Sequence, residues 1–199
     1  MSRRLSDLRR DQVGATIVEF ALIAPVLMLM LMGLFDLSFN MYTTQMLQGA
    51  IENAARNSSL EGAAGNEAKL DAKVSTAVRA VAPAAALTFT RKSYSSFTKA
   101  GRPEDFTDVD ANGTCNKGEP FEDANGNGKW DADGGKTGFG GARDAVLYTV
   151  TVKYTRPFPI AAFIPGQSKT FTLSAATVLR NQPYGQQAAS AAPATGNCT

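Results

Sequence analysis

The sequence predicts an α+β protein in which a long N-terminal transmembrane helix continues into a domain with a second amphipathic helix and a small antiparallel sheet of three to four strands. Two observations support this prediction. An apolar run, residues 15–35, follows a basic leader, and the spacing of apolar residues changes from three or four to two after Pro83. Helices bury residues three and four apart whereas half-buried strands alternate, so the change separates a helical part from a strand part.

The apolar run is long enough to cross a membrane, because a spanning helix needs about 20 residues. Four arginines precede it within the leader, residues 1–14, and Asp36 follows it. The positive-inside rule therefore predicts a cytoplasmic N-terminus and an extracytoplasmic domain after residue 35. The run exceeds the apolar part of a secretory signal and no Ala-x-Ala site follows it, so we expect a retained single-pass anchor.

The net charge of +2 arises in the leader, because four arginines and two aspartates precede Ala15 while 16 basic and 16 acidic residues after it cancel. The chain therefore lacks the basic excess that favours nucleic-acid binding. It also has no histidine, which excludes Ser-His-Asp and Cys-His catalysis and the usual zinc sites. Since no phosphate-binding loop or nucleophile–base pair is evident, we expect a protein that is not an enzyme.

The first helix is expected to extend beyond the membrane to about residues 57–59. Its predicted apolar stripe consists of Leu37, Met41, Thr44, Leu47, Ile51 and Ala54. A second amphipathic helix is predicted over about 66–82, where Pro83 ends it. Alternation of apolar and polar residues predicts strands at 87–90, 145–155 and 171–179, with a fourth around 94–98.

These elements form a predicted domain over residues 36–182. The tail after it, residues 183–199, has the Gln, Ala, Ser, Gly and Pro content that is typical of flexible segments. Within the domain, residues 156–166 form an apolar, proline-rich stretch between two predicted strands. This stretch is either a loop folded over the core or a patch that contacts a partner or the membrane interface.

An acidic insertion, residues 104–134, contains nine of the 18 acidic residues and two copies of a 15-residue unit. The first copy matches the calcium-loop pattern D-x-[DN]-x-[DN]-G-x5-E. Oxygen ligands at this spacing suit Ca²⁺, and Gly113 permits the sharp turn that such a loop requires. The predicted ligands of this first site are Asp108, Asp110, Asn112, the carbonyl of Thr114, Asn116 and Glu119.

In the second copy, Gly134 occupies the twelfth position, where the pattern requires a glutamate. Asp133 and Glu119 are the nearby carboxylates that would replace it, so occupancy of the second site stays open. The alternative for both copies is a solvated acidic loop. Because a metal-free loop of this length is unusual in a compact domain, we expect a structural Ca²⁺ that orders the insertion. The predicted ligands in the second copy are Asp123, Asn125, Asn127 and Asp131.

The two cysteines, Cys115 and Cys198, lie in the first calcium loop and next to the last residue. Both are extracytoplasmic by the orientation above, in a compartment where disulfides persist. We expect a disulfide between them, and the alternatives are an intermolecular bridge or two free thiols.

Residues 14–27, Gly-Ala-Thr-Ile-Val-Glu-Phe-Ala-Leu-Ile-Ala-Pro-Val-Leu, place a glutamate inside the apolar run. Such a residue is costly in a membrane and usually has a function. The motif resembles the TadE-like pseudopilins of the Tad (Flp) type IVb pilus system. The resemblance implies cleavage between Gly14 and Ala15 by a prepilin peptidase, and roles for Glu19 and Phe20 in assembly.

If the leader is cleaved, Ala15 carries a free α-amine, and Glu19 lies about 6 Å further along the helix at about 1.5 Å per residue. Glu19 is then expected to pair with the amine of a neighbouring subunit, because two charges in lipid are tolerable together and costly apart. The alternative is a plain signal anchor in which Glu19 reaches the cytoplasmic interface.

The resemblance implies a non-catalytic minor pilin or pseudopilin of the Tad/Flp pilus, located in the bacterial inner membrane or incorporated in the pilus and acting in pilus assembly and adhesion. Its expected partners are other pilins, the Tad assembly machinery and the prepilin peptidase. The alternative is a single-span, calcium-binding surface module unrelated to pili. A mature N-terminus at Ala15 favours the first hypothesis, and one at Met1 or Ser2 favours the second.

Overall fold

The structure, a computed structural model, describes residues 13–60, 67–180 and 191–199, with side chains for 16–56, 68–180 and 191–199. These residues form a long helix, a second helix and two antiparallel sheets, which confirms the predicted α+β class. Most of the leader, residues 1–12, lies outside the described residues.

The first helix, α1, comprises Val13–Leu60 and contains Pro25 without interruption. Proline is tolerated in membrane helices where the freed carbonyl finds another partner. The second helix, α2, comprises Glu67–Arg79 and ends four residues before Pro83. Both helices match the predicted elements.

The main sheet has four strands, which are β1 (Ala86–Tyr94), β3 (Lys136–Thr137), β4 (Ala145–Thr155) and β5 (Thr170–Arg180). They lie in the order β3-β1-β4-β5. A second sheet pairs β2 (Pro120–Asp123) with β6 (Ala194–Asn197), which are antiparallel. The long central strand β4 is antiparallel to β1 from Ala86↔Lys153 to Tyr94↔Ala145.

The described residues divide into two compact units. One contains the residues up to Tyr42 and Thr155–Phe171, and the other contains Thr43–Tyr154 and the residues from Thr172 onward. The larger unit has the main hydrophobic core, which is drawn from both helices and the sheet. Its fully buried side chains include Leu47, Ile51, Val74, Val78, Val146, Val150 and Val152.

A polar cluster centred on Asp71 of α2 joins this helix to the sheet. Asp71 Oδ1 accepts hydrogen bonds from the Arg91 guanidinium and, at 2.8 Å, from the Tyr148 hydroxyl. The Arg91 guanidinium also lies 4.7 Å from the centre of the Tyr148 ring. Burial, and after it the hydrogen bond to Asp71, raises the pKa of the Tyr148 phenol well above its usual range.

Three predicted features differ in the structure. The expected stripe on α1 is wrong at its start, because Leu37 and Met41 are exposed while Asp36 and Asn40 are buried in their unit. The fourth strand is β3 rather than residues 94–98, where Phe97–Lys99 form a 3-10 turn. The tail, predicted to be flexible over 183–199, ends in a strand, because residues 194–197 form β6; residues 183–190 lie outside the described residues.

Candidate functional site

The first group of candidate residues lies at the start of α1. The Gly14–Ala15 bond is in the first turn, and the side chains of Glu19 and Phe20 are exposed, with Phe20 at 62%. From Thr16 to Phe35 no described side chain is buried. Thr16–Arg56 is the one helix among the described residues that is long and apolar enough to cross a membrane. Such an exposed apolar surface requires lipid or another protein around it.

The second group lies in the first copy of the acidic repeat, between β1 and β2. Carboxylate oxygens of Asp108, Asp110 and Glu119 lie within 4.8 Å of one another. Gly113, at the sixth position, has φ +75°, a conformation that L side chains rarely adopt. The structure thus brings together the three carboxylates that the pattern predicts as ligands.

Backbone N–H groups hold these carboxylates in place. Asp108 accepts the N–H groups of Asn112 and Gly113 at 3.1 and 2.7 Å. Glu119, only 5% exposed, accepts the N–H of Val109 at 2.7 Å with one oxygen and that of Asn116 at 3.1 Å with the other. Glu119 therefore closes the loop by accepting the backbone N–H groups of its second and ninth positions, Val109 and Asn116.

The remaining predicted ligands of this loop have local partners. Asn112 Oδ1 accepts the N–H of Thr114 at 2.7 Å, and the carbonyl of Thr114 accepts the Asn116 amide at 3.0 Å. Asp110 pairs with Lys117 at 2.7 Å, although the Lys117 side chain is 75% exposed. A cation at Asp110 would therefore compete with this lysine.

A further candidate ligand atom in the loop is Asn116 Oδ1, at the ninth position. It is buried and has no hydrogen-bond partner among the described residues. A buried amide oxygen without a partner is costly, and a cation that accepts oxygen ligands would remove this cost. The donor set of carboxylates and an amide oxygen, without histidine or free thiol, fits Ca²⁺.

The second copy has the same local geometry as the first. Asp123 accepts the N–H groups of Gly126, Asn127 and Gly128. The amide groups of Asn125 and Asn127 donate to Asp131 Oδ2 at 2.6 and 2.5 Å. Gly128, at the sixth position, has φ +76°, nearly the value of its counterpart in the first loop.

The second loop is closed by Glu104, which lies upstream of both loops and is 4% exposed. One of its oxygens accepts the N–H of Ala124 at 2.8 Å, and the other accepts that of Asp131 at 3.0 Å. These donors are the second and ninth positions, the positions that bind Glu119 in the first loop. Glu104 therefore takes the place of the missing glutamate at position 134.

The two copies are related by a local pseudo-twofold arrangement. Phe106 pairs with Phe121, its equivalent 15 residues later, in an antiparallel bridge. The flanking bonds, from Thr107 N–H to the Pro120 carbonyl and from Glu122 N–H to the Asp105 carbonyl, measure 2.9 and 2.8 Å. Each copy of the repeat begins with a glutamate, which is Glu104 in the first copy and Glu119 in the second. In this arrangement each glutamate closes the loop of the other copy.

Asp133, one of the two predicted replacements for the missing ligand of the second loop, forms hydrogen bonds outside that loop. It accepts hydrogen bonds from Lys92 and from the Tyr94 hydroxyl, both at 2.7 Å. Burial raises the pKa of the Asp133 carboxyl, but the bonds from Lys92 and Tyr94 outweigh burial and hold the pKa below its usual range. Asp133 thus joins the insertion to β1, and the group that closes the second loop is Glu104, which the calcium-loop pattern does not include.

The predicted disulfide is present between Cys115 and Cys198, which are 83 residues apart in sequence. Two backbone hydrogen bonds flank it, from Cys198 N–H to the Glu119 carbonyl at 2.8 Å and from Gly118 N–H to the Cys198 carbonyl at 2.9 Å. The bridge therefore joins the end of β6 to the first loop, next to its closing glutamate.

Comparison with sequence families gives a match over residues 14–56 to the family described as TadE-like protein. The match covers about a fifth of the chain and lies within α1. Comparison with curated proteins and with solved structures found no significant match. The matched residues include the motif at 14–27, so the resemblance of this motif to the TadE-like family is confirmed for the N-terminal helix.

Proposed function

We propose that this protein is a non-catalytic minor pilin or pseudopilin of the Tad/Flp pilus system. The observation that carries the proposal is the TadE-like match over residues 14–56, on the one described helix that suits a single-pass anchor. TadE-like pilus components are generally structural rather than enzymatic. The proposed topology has a cytoplasmic N-terminus and a domain outside the inner membrane that takes part in pilus assembly and adhesion.

The proposed processing site is the bond between Gly14 and Ala15, which a prepilin peptidase cleaves. Mass spectrometry of the protein purified from cells with that peptidase is expected to show a mature N-terminus at Ala15. Gly14→Ile is expected to keep the leader. Gly49→Ala, where the added Cβ would meet no atom within 4 Å, is the processed control. A mature N-terminus at Met1 or Ser2 in the unsubstituted protein would instead favour a surface module unrelated to pili.

The proposed role of Glu19 is to pair with the α-amine of Ala15 in a neighbouring subunit. The exposed position of Glu19 on α1 leaves its carboxylate accessible to such a neighbour. Glu19→Ala is expected to reduce pilus formation while membrane insertion persists, because an apolar residue inserts more easily than a carboxylate. Glu52→Ala, an exposed glutamate of the same helix outside the apolar run, is the control. Normal pili with Glu19→Ala would disprove the pairing.

A second candidate function, structural calcium binding, is favoured by the carboxylate cluster together with the buried, unpartnered oxygen of Asn116. In this proposal Asp108, Asp110, Asn116 and Glu119 hold one ion. We assign no ion to the second loop, because Glu104, Asp123 and Asp131 do not form such a cluster among the described residues. The ion in the first loop stabilises the insertion by neutralising part of its clustered negative charge.

Isothermal titration calorimetry of the detergent-solubilised full chain with CaCl₂ tests this function. We expect binding in the range of about 10⁻⁴–10⁻³ M, which is typical of extracellular modules, and a higher melting temperature in millimolar calcium. Glu119→Gln is expected to remove the site in the first loop. A second binding event that Glu104→Gln abolishes would assign an ion to the second loop as well. Glu122→Gln, whose side chain is 61% exposed, is the matched control. No heat and no stabilisation in the unsubstituted protein would refute calcium binding.

A further inference from the structure

The connection between β4 and β5 contains an uncharged stretch, residues 157–168, with the sequence Pro-Phe-Pro-Ile-Ala-Ala-Phe-Ile-Pro-Gly-Gln-Ser. Its apolar side chains divide into two sets. Phe158 and Ile160 are half-buried, whereas Phe163 and Ile164 are 57% and 43% exposed. We call residues 157–165 the apolar loop.

The apolar loop packs against the last turn of the apolar run in α1, within the same compact unit. The Phe158 ring is stacked with the Phe35 ring at a centroid distance of 6.0 Å. The Ile160 Cδ1 atom lies 3.7 Å from the place where a Cβ on Gly33 would stand. The loop therefore lies at the depth where the apolar run ends, about 30 Å along the helix from its start, the thickness of a hydrocarbon core.

An ion pair at the base of the loop holds it in this position. The Arg156 guanidinium binds Asp36 of α1, and the side chains are 14% and 5% exposed. Arg156 Nε also donates to the Ser168 carbonyl at 3.1 Å, and the guanidinium lies 5.0 Å from the centre of the Phe171 ring. Because the two charges neutralise each other, neither opposes a low-dielectric environment beside the loop.

The backbone of the loop also suits an apolar environment, where each unpaired N–H is costly. Prolines at 157, 159 and 165 have no N–H to satisfy. The N–H groups of Ile160, Ala162, Phe163 and Ile164 donate to carbonyls within the loop at 2.8–3.1 Å. Most backbone N–H groups of the loop therefore have a hydrogen-bond acceptor within the loop and do not require water.

We propose that the apolar loop inserts shallowly into the bilayer leaflet at the C-terminal end of the α1 span, with Phe163 and Ile164 in contact with lipid. The bilayer is the expected occupant because the loop continues the apolar surface of the span at the same depth. Lys169, exposed just after the uncharged stretch, is suited to a headgroup phosphate. Such an interfacial element reaches about 5–10 Å into the boundary between headgroups and acyl chains. The inference rests on the membrane span of the proposed function and not on pilus membership.

Depth-dependent quenching of tryptophan emission tests the proposal with the full chain in phosphatidylcholine–phosphatidylglycerol vesicles. The acyl chains carry bromine either near the headgroup or near the chain end. Single tryptophans are placed by Phe163→Trp, Leu27→Trp and Tyr42→Trp in a Trp130→Phe background. If that background folds poorly, Trp130 is kept and its emission subtracted. Leu27 marks the middle of the span, and Tyr42 lies seven residues beyond its end.

We expect Phe163→Trp to lose emission to bromine near the headgroup more than to bromine at the chain end. Leu27→Trp is expected to show the opposite order, and Tyr42→Trp little loss. Quenching of Leu27→Trp without quenching of Phe163→Trp would overturn the loop proposal alone. A blue-shifted but unquenched Phe163→Trp would also overturn it, because a second protein copy would then cover the loop. Absence of quenching at Leu27 would overturn the membrane anchor itself, and with it this inference.

Discussion

At the scale of single residues, Glu104 and Glu119 have equivalent environments in the insertion. Each is buried, and each accepts backbone N–H groups from the second and ninth positions of one loop. A buried carboxylate needs several such donors, since burying a charge without partners is costly. The loops are thus organised around two glutamates, and the geometry of each carboxylate is set before any ion binds.

Lys117 is expected to weaken cation binding at the first loop, because its ammonium group pairs with Asp110. Lys117→Gln should therefore lower the calcium dissociation constant, by about fivefold if about 1 kcal/mol of competing attraction is removed. Calorimetry measures this change, with Lys129→Gln, in the second loop, as the matched control. An equal effect of both substitutions would show that overall charge, rather than the Asp110 pair, is responsible.

Asp71 is expected to be the most sensitive polar residue of the helix–sheet contact. Asp71→Asn removes the charge that pairs with Arg91, leaving that guanidinium, 11% exposed, without its partner. We expect the free energy of unfolding to fall by about 2 kcal/mol, measured by urea denaturation. Asp105→Asn, in an exposed ion pair with Lys99, should cost less than about 0.5 kcal/mol. Similar losses in the two variants would contradict this role for Asp71.

At the scale of elements, the strands β1, β4 and β5 follow from alternation of side chains, since one face of each packs on the core. The long N-terminal helix is predicted by composition alone. Strands β2 and β6 could not be predicted, because each has four residues and its partner lies more than 70 residues away. Short strands are stabilised by long-range pairing, which cannot be predicted from the spacing of apolar residues within the strand.

The two buried phenols of the sheet should make stability depend on alkaline pH. Burial and a hydrogen bond to Asp133 raise the pKa of Tyr94 to about 12, and burial and Asp71 raise the pKa of Tyr148. Unfolded tyrosine ionises near pH 10, so unfolding releases protons above that pH. Their contribution is therefore complete below about pH 10 and is lost as pH rises through the folded pKa values.

Urea midpoints measured from pH 9 to 12 test this dependence. The unsubstituted protein is expected to lose stability across the range, and Tyr148→Phe and Tyr94→Phe should each lose less over the same range. Tyr42→Phe, at an exposed position of α1, should behave like the unsubstituted protein. If all the variants showed the same slope, ionisation of the two buried phenols would not be the cause.

At the scale of the whole molecule, the disulfide joins two residues that lie far apart in the sequence. It closes a segment with a sequence separation of 83, for which chain entropy predicts about 4.5 kcal/mol of stabilisation. We expect the double variant Cys115→Ser, Cys198→Ser to melt at a lower temperature and to bind calcium more weakly at the first loop. Amide exchange at Phe121 should also increase, because the β2–β6 pairing loses its covalent tie. Unchanged exchange would show that the pairing is independent of the disulfide.

The amino-acid sequence is sufficient to predict the features that depend only on neighbouring residues. These are the apolar run, the motif at 14–27, both helices, the long strands and the first calcium-loop pattern, because composition and spacing are sufficient to specify them. Glu104 also lies 15 residues before Glu119, which is a signal in the repeat that the calcium-loop pattern does not include. Only the tertiary structure assigned Glu104 to the second loop, because the pairing of Phe106 with Phe121 makes the copies exchange their glutamates. Likewise, the burial of Asp36 follows from Arg156, a partner 120 residues away that spacing along the chain does not reveal.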